Sequence, residues 1–261
     1  MAIAGEIGEA GEGKKTAWWR FSAIWRSREW RLTLSQTAQE EPRRDRRQKG
    51  TAMNAIEQFF PPAALPAARA ELAARIAAIE AAHGANGFLM SREDASLHEA
   101  GHAVIGALWG RKIRLCRVMP KTIGDRVQWG GKTLARPDAY VLDEKSEPAS
   151  DFAWSCFTAG GSLAEHLFSK LPRAGSGLDE MIVVKHAASS IAFKTGGNPR
   201  VVAKAILGTT VQILKRHEAA VRELAAQLMD RNLIAQKEIE VIFDRHGLGP
   251  DQGFIEHGVF R

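Results

Sequence analysis

Three residues in the run SLHEAGHAVIG, positions 96–106, could do chemistry together: His98, Glu99 and His102, spaced HExxH. On a helix, residues four apart share a face. Two imidazoles so placed can grip one metal ion while the carboxylate of Glu99 projects beside them towards water. A bound Zn2+ ion would lower the pKa of that water towards neutrality, and Glu99 would accept its proton during attack on a carbonyl. Chance would place HExxH somewhere in a chain of this composition with a probability of roughly 2%. The motif therefore stands above the reading of two ordinary helix histidines.

A catalytic zinc site takes three protein ligands and keeps one position open. HExxH supplies two. Candidates for the third lie in GGSLAEHLFSKLPRAGSGLDEMIVVKHAASS, positions 160–190: Glu165, His166, Asp179, Glu180 and His186. Asp179 follows the flexible AGSG and opens a helix, so its short carboxylate could turn back towards the histidines. An acid at a helix N-terminus is also favoured by the helix dipole alone, and residue chemistry leaves the choice open.

These residues need a scaffold. The stretch PAARAELAARIAAIEAAHG predicts a helix with Leu65, Leu72, Ile76 and Ile79 on one face, Pro66 near its start and Gly84 past its end. A second helix opens at Ser91, where Asp94 three residues on makes a capping-box pattern, and carries HExxH to a stop near Gly110. Over 112–135 the period changes. Ile113, Leu115 and Val118, then Val127 and Trp129, predict short strands separated by Gly124 and closed by Gly130-Gly131. A polar loop over 136–150 follows, then helices over 151–170, 178–194, a long 201–229 and a short one at about 235–245. The fold class expected is mostly α with a small β-sheet.

Composition bounds the rest. The 261 residues carry a net charge of +6, of which +4 lies in residues 1–50. The basic excess is thus mainly terminal, and no nucleic-acid motif accompanies it, so no nucleic-acid partner is expected. Residues 1–52 read as a disordered basic extension. Their AWWRFSAIWRSREWRL segment has a membrane-surface or nucleic-acid-binding helix as its sharper alternative. Cys116 and Cys156 stand 40 positions apart without CxxC partners, the pattern of packing thiols in a reducing compartment. No apolar run reaches 18 residues, so no transmembrane segment is expected. With no signal-peptide layout, a cytoplasmic location follows as the default.

The run HEAGHAVIG resembles the peptidase motif of the FtsH family, the membrane-anchored AAA+ zinc proteases. The likeness continues in order through IRLCRVMPK as a strand, AGGSLAEHL for the family's GGRxAEE helix, and GSGLDEM for its GASxDL segment. It extends through residues 203–243, similar to the family's C-terminal helical hairpin. The resemblance implies a zincin-like peptidase domain over 90–247, preceded by an N-terminal helical segment, 53–89, and followed by a tail, 248–261. It implies His98, His102 and Asp179 as zinc ligands, Glu99 as catalytic base, and Glu165 as a residue orienting a ligating histidine. His166 and His186 acquire no role.

Two departures stand out. Ser162 occupies the position of the family's GGR arginine, and no GxxxxGK[ST] phosphate loop of an ATPase is present. The reading is a stand-alone zinc metalloendopeptidase acting without ATP on unfolded or flexible polypeptides, or on chains presented by a separate unfoldase or adaptor. A homo-oligomer is allowed by the family's hexameric rings but not implied. The alternatives are a regulatory peptidase of narrow range, which shares this chemistry, and a catalytically silent or partner-dependent interaction module. All four residues the reaction needs are present, which weighs against the silent module.

Overall fold

The HExxH segment lies on the most buried helix among the described residues. In the computed structural model, residues 64–84, 89–123, 126–136, 146–170, 177–251 and 254 are described. The basic extension with its tryptophans, most of the 136–150 loop and most of the C-terminal tail lie outside them. Helix α1 spans Leu65–His83, and α2 spans Arg92–Leu108. The capping box is formed: Asp94 N–H donates to Ser91 Oγ at 3.0 Å, and Ser91 N–H donates to Asp94 Oδ2 at 3.2 Å. Asp94 also accepts from Ser169 Oγ at 2.5 Å, tying this end of α2 to the end of the next helix. Every α2 residue from Asp94 to Leu108 is buried.

Strands β1, Lys112–Ile123, and β2, Arg126–Arg136, form an antiparallel hairpin with an irregularity between Ile113 and Leu115. A short β3, Leu233–Ala235, pairs antiparallel with the other side of β1 and gives the order β2-β1-β3. Both long strands pack on α2. They run further than the sequence predicts: Gly130 and Gly131 do not close β2 but sit inside it. The reason is tertiary. A Cβ on Gly131 would lie 2.4 Å from Glu99 Cγ and 2.7 Å from the Arg117 carbonyl oxygen, so the strand can cross α2 here only without a side chain.

Helices α3, Pro148–Phe168, and α4, Leu178–Thr195, complete the surroundings of α2. Gly101 of α2 meets Gly160 of α3, where a Cβ on Gly101 would lie 2.3 Å from the Gly160 carbonyl oxygen. The two glycines let the backbones approach directly. Ala68 of α1 packs into a cluster with Trp154 of α3 and Ile182, Val183 and Ala187 of α4, flanked by Leu65, Leu72 and Trp109. The N-terminal helix is therefore part of the same packed unit as the helices behind the site. Lys185 of α4 donates to both oxygens of Glu71 at 2.8 Å, which reinforces that seam.

The predicted long helix over 201–229 is two: α5, Pro199–Arg216, and α6, Glu218–Arg231, broken at His217. Helix α5 packs on α3 and α4, whereas α6 packs on α2. The two touch only near their junction instead of forming a closed hairpin. Helix α7, Gln236–Arg245, follows β3. The architecture is mostly helical, with seven helices and one three-stranded antiparallel sheet among the described residues. No helix among those residues is long and apolar enough to cross a membrane.

Candidate metal centre

His98 and His102 lie one turn apart on α2, both 8% exposed, and their rings meet edge to face at 4.8 Å between centroids. Their Nε2 atoms stand 3.1 Å apart. The third donor comes from the first turn of α4: Glu180 Oε1 lies 3.1 Å from His98 Nε2 and 2.9 Å from His102 Nε2. These three residues form a group that could hold a metal ion. The fit can be tested against bond lengths. Tetrahedral zinc, with bonds of about 2.0–2.1 Å, separates neighbouring ligand atoms by about 3.3 Å. The observed triangle of 2.9–3.1 Å is close to that edge.

Asp179, which the resemblance implies as the third ligand, is not in the converging group. It precedes Glu180 by one residue on α4, half-buried. Successive helix residues point about 100° apart, so one of the pair can face the histidines while the other turns aside. Two features favour Glu180. Helix α4 begins at Gly177, held in the left-handed region at φ 58°. The second carboxylate oxygen of Glu180 accepts a 2.8 Å hydrogen bond from Ser162 Oγ.

The other ring nitrogens define how the imidazoles are held. His102 Nδ1 lies 2.8 Å from the Phe157 carbonyl oxygen. A carbonyl can only accept, so Nδ1 carries the proton and the Nε2 lone pair is left facing the site. His98 Nδ1 is buried without a hydrogen-bond partner among the described residues, and Glu165 Oε2 stands 3.6 Å away. That is an ion-pair separation, beyond the about 3.2 Å reach of an N–H···O bond. Glu165 itself is 1% exposed, so it is no surface glutamate.

Glu99 is 5% exposed and faces β2. Thr133 Oγ lies 2.7 Å from Glu99 Oε2 and 3.0 Å from the Glu99 carbonyl oxygen. With one proton to give, the hydroxyl directs it to the nearer, charged acceptor. Cys116 Sγ lies 3.5 Å from the same hydroxyl and can donate to it. Burial pushes both the Cys116 and the Cys156 thiols up to about 12, which makes them packing groups and not nucleophiles.

Electrostatics divide the four residues. Burial pulls Glu180 upward, but the two imidazoles outweigh it and hold its carboxyl well below the usual range. Burial pulls His98 and His102 downward, and the surrounding carboxylates, Glu180 foremost, more than reverse it and raise both. For Glu99 burial wins: its carboxyl is raised despite the two histidines and Thr133. A carboxylate tuned upward is suited to accepting a proton near neutral pH.

A second glycine completes the site. A Cβ on Gly161 of α3 would lie 2.4 Å from His102 Nε2 and 2.5 Å from His98 Nε2. Sequence reasoning did not single out Gly161, Gly131 or Thr133 as site residues. The doubled glycines at 130–131 and 160–161 were the available signal, since a GG pair away from a turn marks close backbone approach. His166 and His186 contribute no donor to the group. No protein-family model matches this chain, and no curated protein matches it.

Proposed function

We propose that this protein is a zinc-dependent metalloendopeptidase, with His98, His102 and Glu180 as metal ligands and Glu99 as general base. The observation that carries the reading is the convergence of three donors within 3.1 Å of one another, with a buried, upward-tuned carboxylate on the same helix. Two imidazoles and one carboxylate are a donor set that catalytic zinc sites use. When bound, the ion supplies Lewis acidity to a carbonyl and acidifies water. Glu99 accepts the proton of the attacking water as its oxygen joins the carbonyl carbon. It then returns a proton to the departing amine nitrogen as the C–N bond breaks. Thr133 holds the carboxylate on its outward path by bonding one oxygen, leaving Oε1 to carry the proton.

Substrate binding is read from β2, at the edge of the sheet beside Glu99. Trp129 pairs with Pro120, which has no N–H, and its own N–H donates away from β1 to the Met90 carbonyl at 2.9 Å. Strand alternation turns the backbone groups of Gly131 and Thr133 the same way. An extended peptide added along this edge would pass Glu99. This arrangement, with the motif order in the sequence, supports a zincin-like, FtsH-type peptidase domain acting on unfolded or flexible polypeptides.

The test is degradation of casein by the zinc-loaded chain without ATP, set beside Glu99→Gln. The expected result is cleavage by the parent and a loss of about 10²–10⁴-fold in the variant, with zinc still bound. Zinc binding by the parent with no cleavage would move the reading to a partner-dependent enzyme or an interaction module.

A further inference from the structure

We propose that Ser162 is a positioning residue for the metal site: its hydroxyl orients Glu180 so that this glutamate, and not Asp179, delivers the third donor. The inference rests on the metalloenzyme reading above and concerns this chain's own solution to a choice between two adjacent carboxylates. Glu180 uses its two oxygens for different partners. Oε1 faces both imidazole nitrogens, at 3.1 and 2.9 Å, and Oε2 accepts from Ser162 Oγ at 2.8 Å. A carboxylate pinned by one oxygen has lost most of its rotational freedom about the terminal bond, so the other oxygen is pre-aimed.

Ser162 is itself fixed from two sides. It follows Gly161, the residue pressed beneath the two imidazoles, so α3 cannot move closer to the site without meeting them. On the opposite side, a Cβ on Gly177 would lie 1.6 Å from Ser162 Oγ and 2.9 Å from Glu180 Oε2. The serine hydroxyl thus occupies the space that any side chain at position 177 would need. Gly177 is also the left-handed residue from which α4 starts, which sets the rotation of the helix and hence which of residues 179 and 180 faces α2. Serine at 162, glycine at 177 and glutamate at 180 form one device, and Ser162 is 6% exposed at its centre. A longer side chain at 162 would leave no room for this contact. The serine that departs from the family's arginine therefore has a physical partner in Glu180.

The experiment measures zinc affinity by chelator competition, and the visible spectrum of the Co2+-loaded protein, for the parent, Ser162→Ala, Glu180→Ala, their double variant and Asp179→Asn. Removing a group that orients a metal ligand costs about 10–100-fold in affinity. Ser162→Ala should therefore weaken zinc by at least about tenfold and shift the Co2+ bands. Glu180→Ala should weaken it more, and Asp179→Asn should leave it near the parent's. Because Ser162 acts through Glu180, adding Ser162→Ala to Glu180→Ala should change nothing further. Equal losses in both backgrounds would show a merely structural serine and overturn the proposal, as would parent-like affinity in Ser162→Ala. Loss on Asp179→Asn with retention on Glu180→Ala would overturn it while leaving the metalloenzyme reading intact. A parent chain that binds no zinc would overturn both.

Discussion

Gly161 and Gly208 each lie at the middle of a continuous helix, where glycine costs about 1 kcal/mol relative to alanine. Their surroundings could hardly differ more. On α3, a Cβ at 161 would strike both imidazoles, whereas on α5 a Cβ at 208 would meet nothing within 4 Å. The face of α3 towards α2 is built from absent side chains, with Gly160 against Gly101 and Gly161 beneath the histidines, so that backbone can support charged groups at contact distance. The outer face of α5 has no such constraint. The comparison teaches that helix propensity is sacrificed at the site for geometry, and that the loss elsewhere is unconnected with it.

The sharpest way to break this contrast is Gly161→Ala. The added methyl cannot coexist with the imidazole positions, so either the rings or α3 must shift to admit it. Zinc affinity should fall about 100-fold or more, the upper end of what displaced support around ligands costs. Chelator competition would measure it. An unchanged affinity would mean that the donors do not sit where the triangle of His98, His102 and Glu180 puts them.

A second effect, smaller and dependent on pH, sharpens the electrostatic side. In the metal-free protein Glu180 has a lowered pKa, so its contribution to stability is present above the unfolded carboxyl value of about 4.3 and is lost as pH falls through its folded value. His98 and His102 have raised values, so theirs is present below about 6.5 and is lost as pH rises through their folded values. Glu99, raised by burial, adds to the loss on the alkaline side. Metal-free stability from this cluster should therefore peak between about pH 4.5 and 6.5. Zinc binding runs the other way, because the imidazoles must shed protons to ligate. Thermal unfolding with and without chelator, from pH 5 to pH 8 in steps of about 0.5, should show the gap in Tm widening with pH. A metal-free Tm that climbs through neutrality would contradict the cluster's charge assignment.

What the sequence discloses follows the range of the forces involved. Ser91 and Asp94, Pro66 and Gly84 mark helix ends through bonds made within four residues, and those ends are where the structure has them. HExxH is likewise local, since helix periodicity alone brings His98 and His102 together. Beyond that range the signals fail in instructive ways. Gly130-Gly131 looks like a strand end because the contact that selects glycine, with Glu99, comes from 32 residues away in sequence for Gly131. The break at His217 has neither Gly nor Pro beside it, and follows from α5 and α6 having different partners in space. The choice between Asp179 and Glu180 is hidden for the same reason: it depends on Gly177 and Ser162, and on how α3 meets α4. Glu165 is buried beside His98, its Oε2 3.6 Å from the ring Nδ1.

The smallest expected effect tests the other half of the comparison. Gly208 is exposed, adopts ordinary helical geometry within α5 and has open space where a Cβ would go. Its replacement by alanine removes backbone freedom from the unfolded chain without a steric cost in the folded one. Stability should rise by about 0.4–1 kcal/mol, read as an increase in the urea midpoint at constant slope. Zinc affinity should not change, because α5 contributes no donor and none of the contacts that hold Glu180. If Gly208→Ala were destabilising, the open space beside α5 would have to be filled in solution, by another copy of the chain or by a segment outside the described residues. Glycine there would then be retained for contact, as at Gly161, and the two faces would be alike after all.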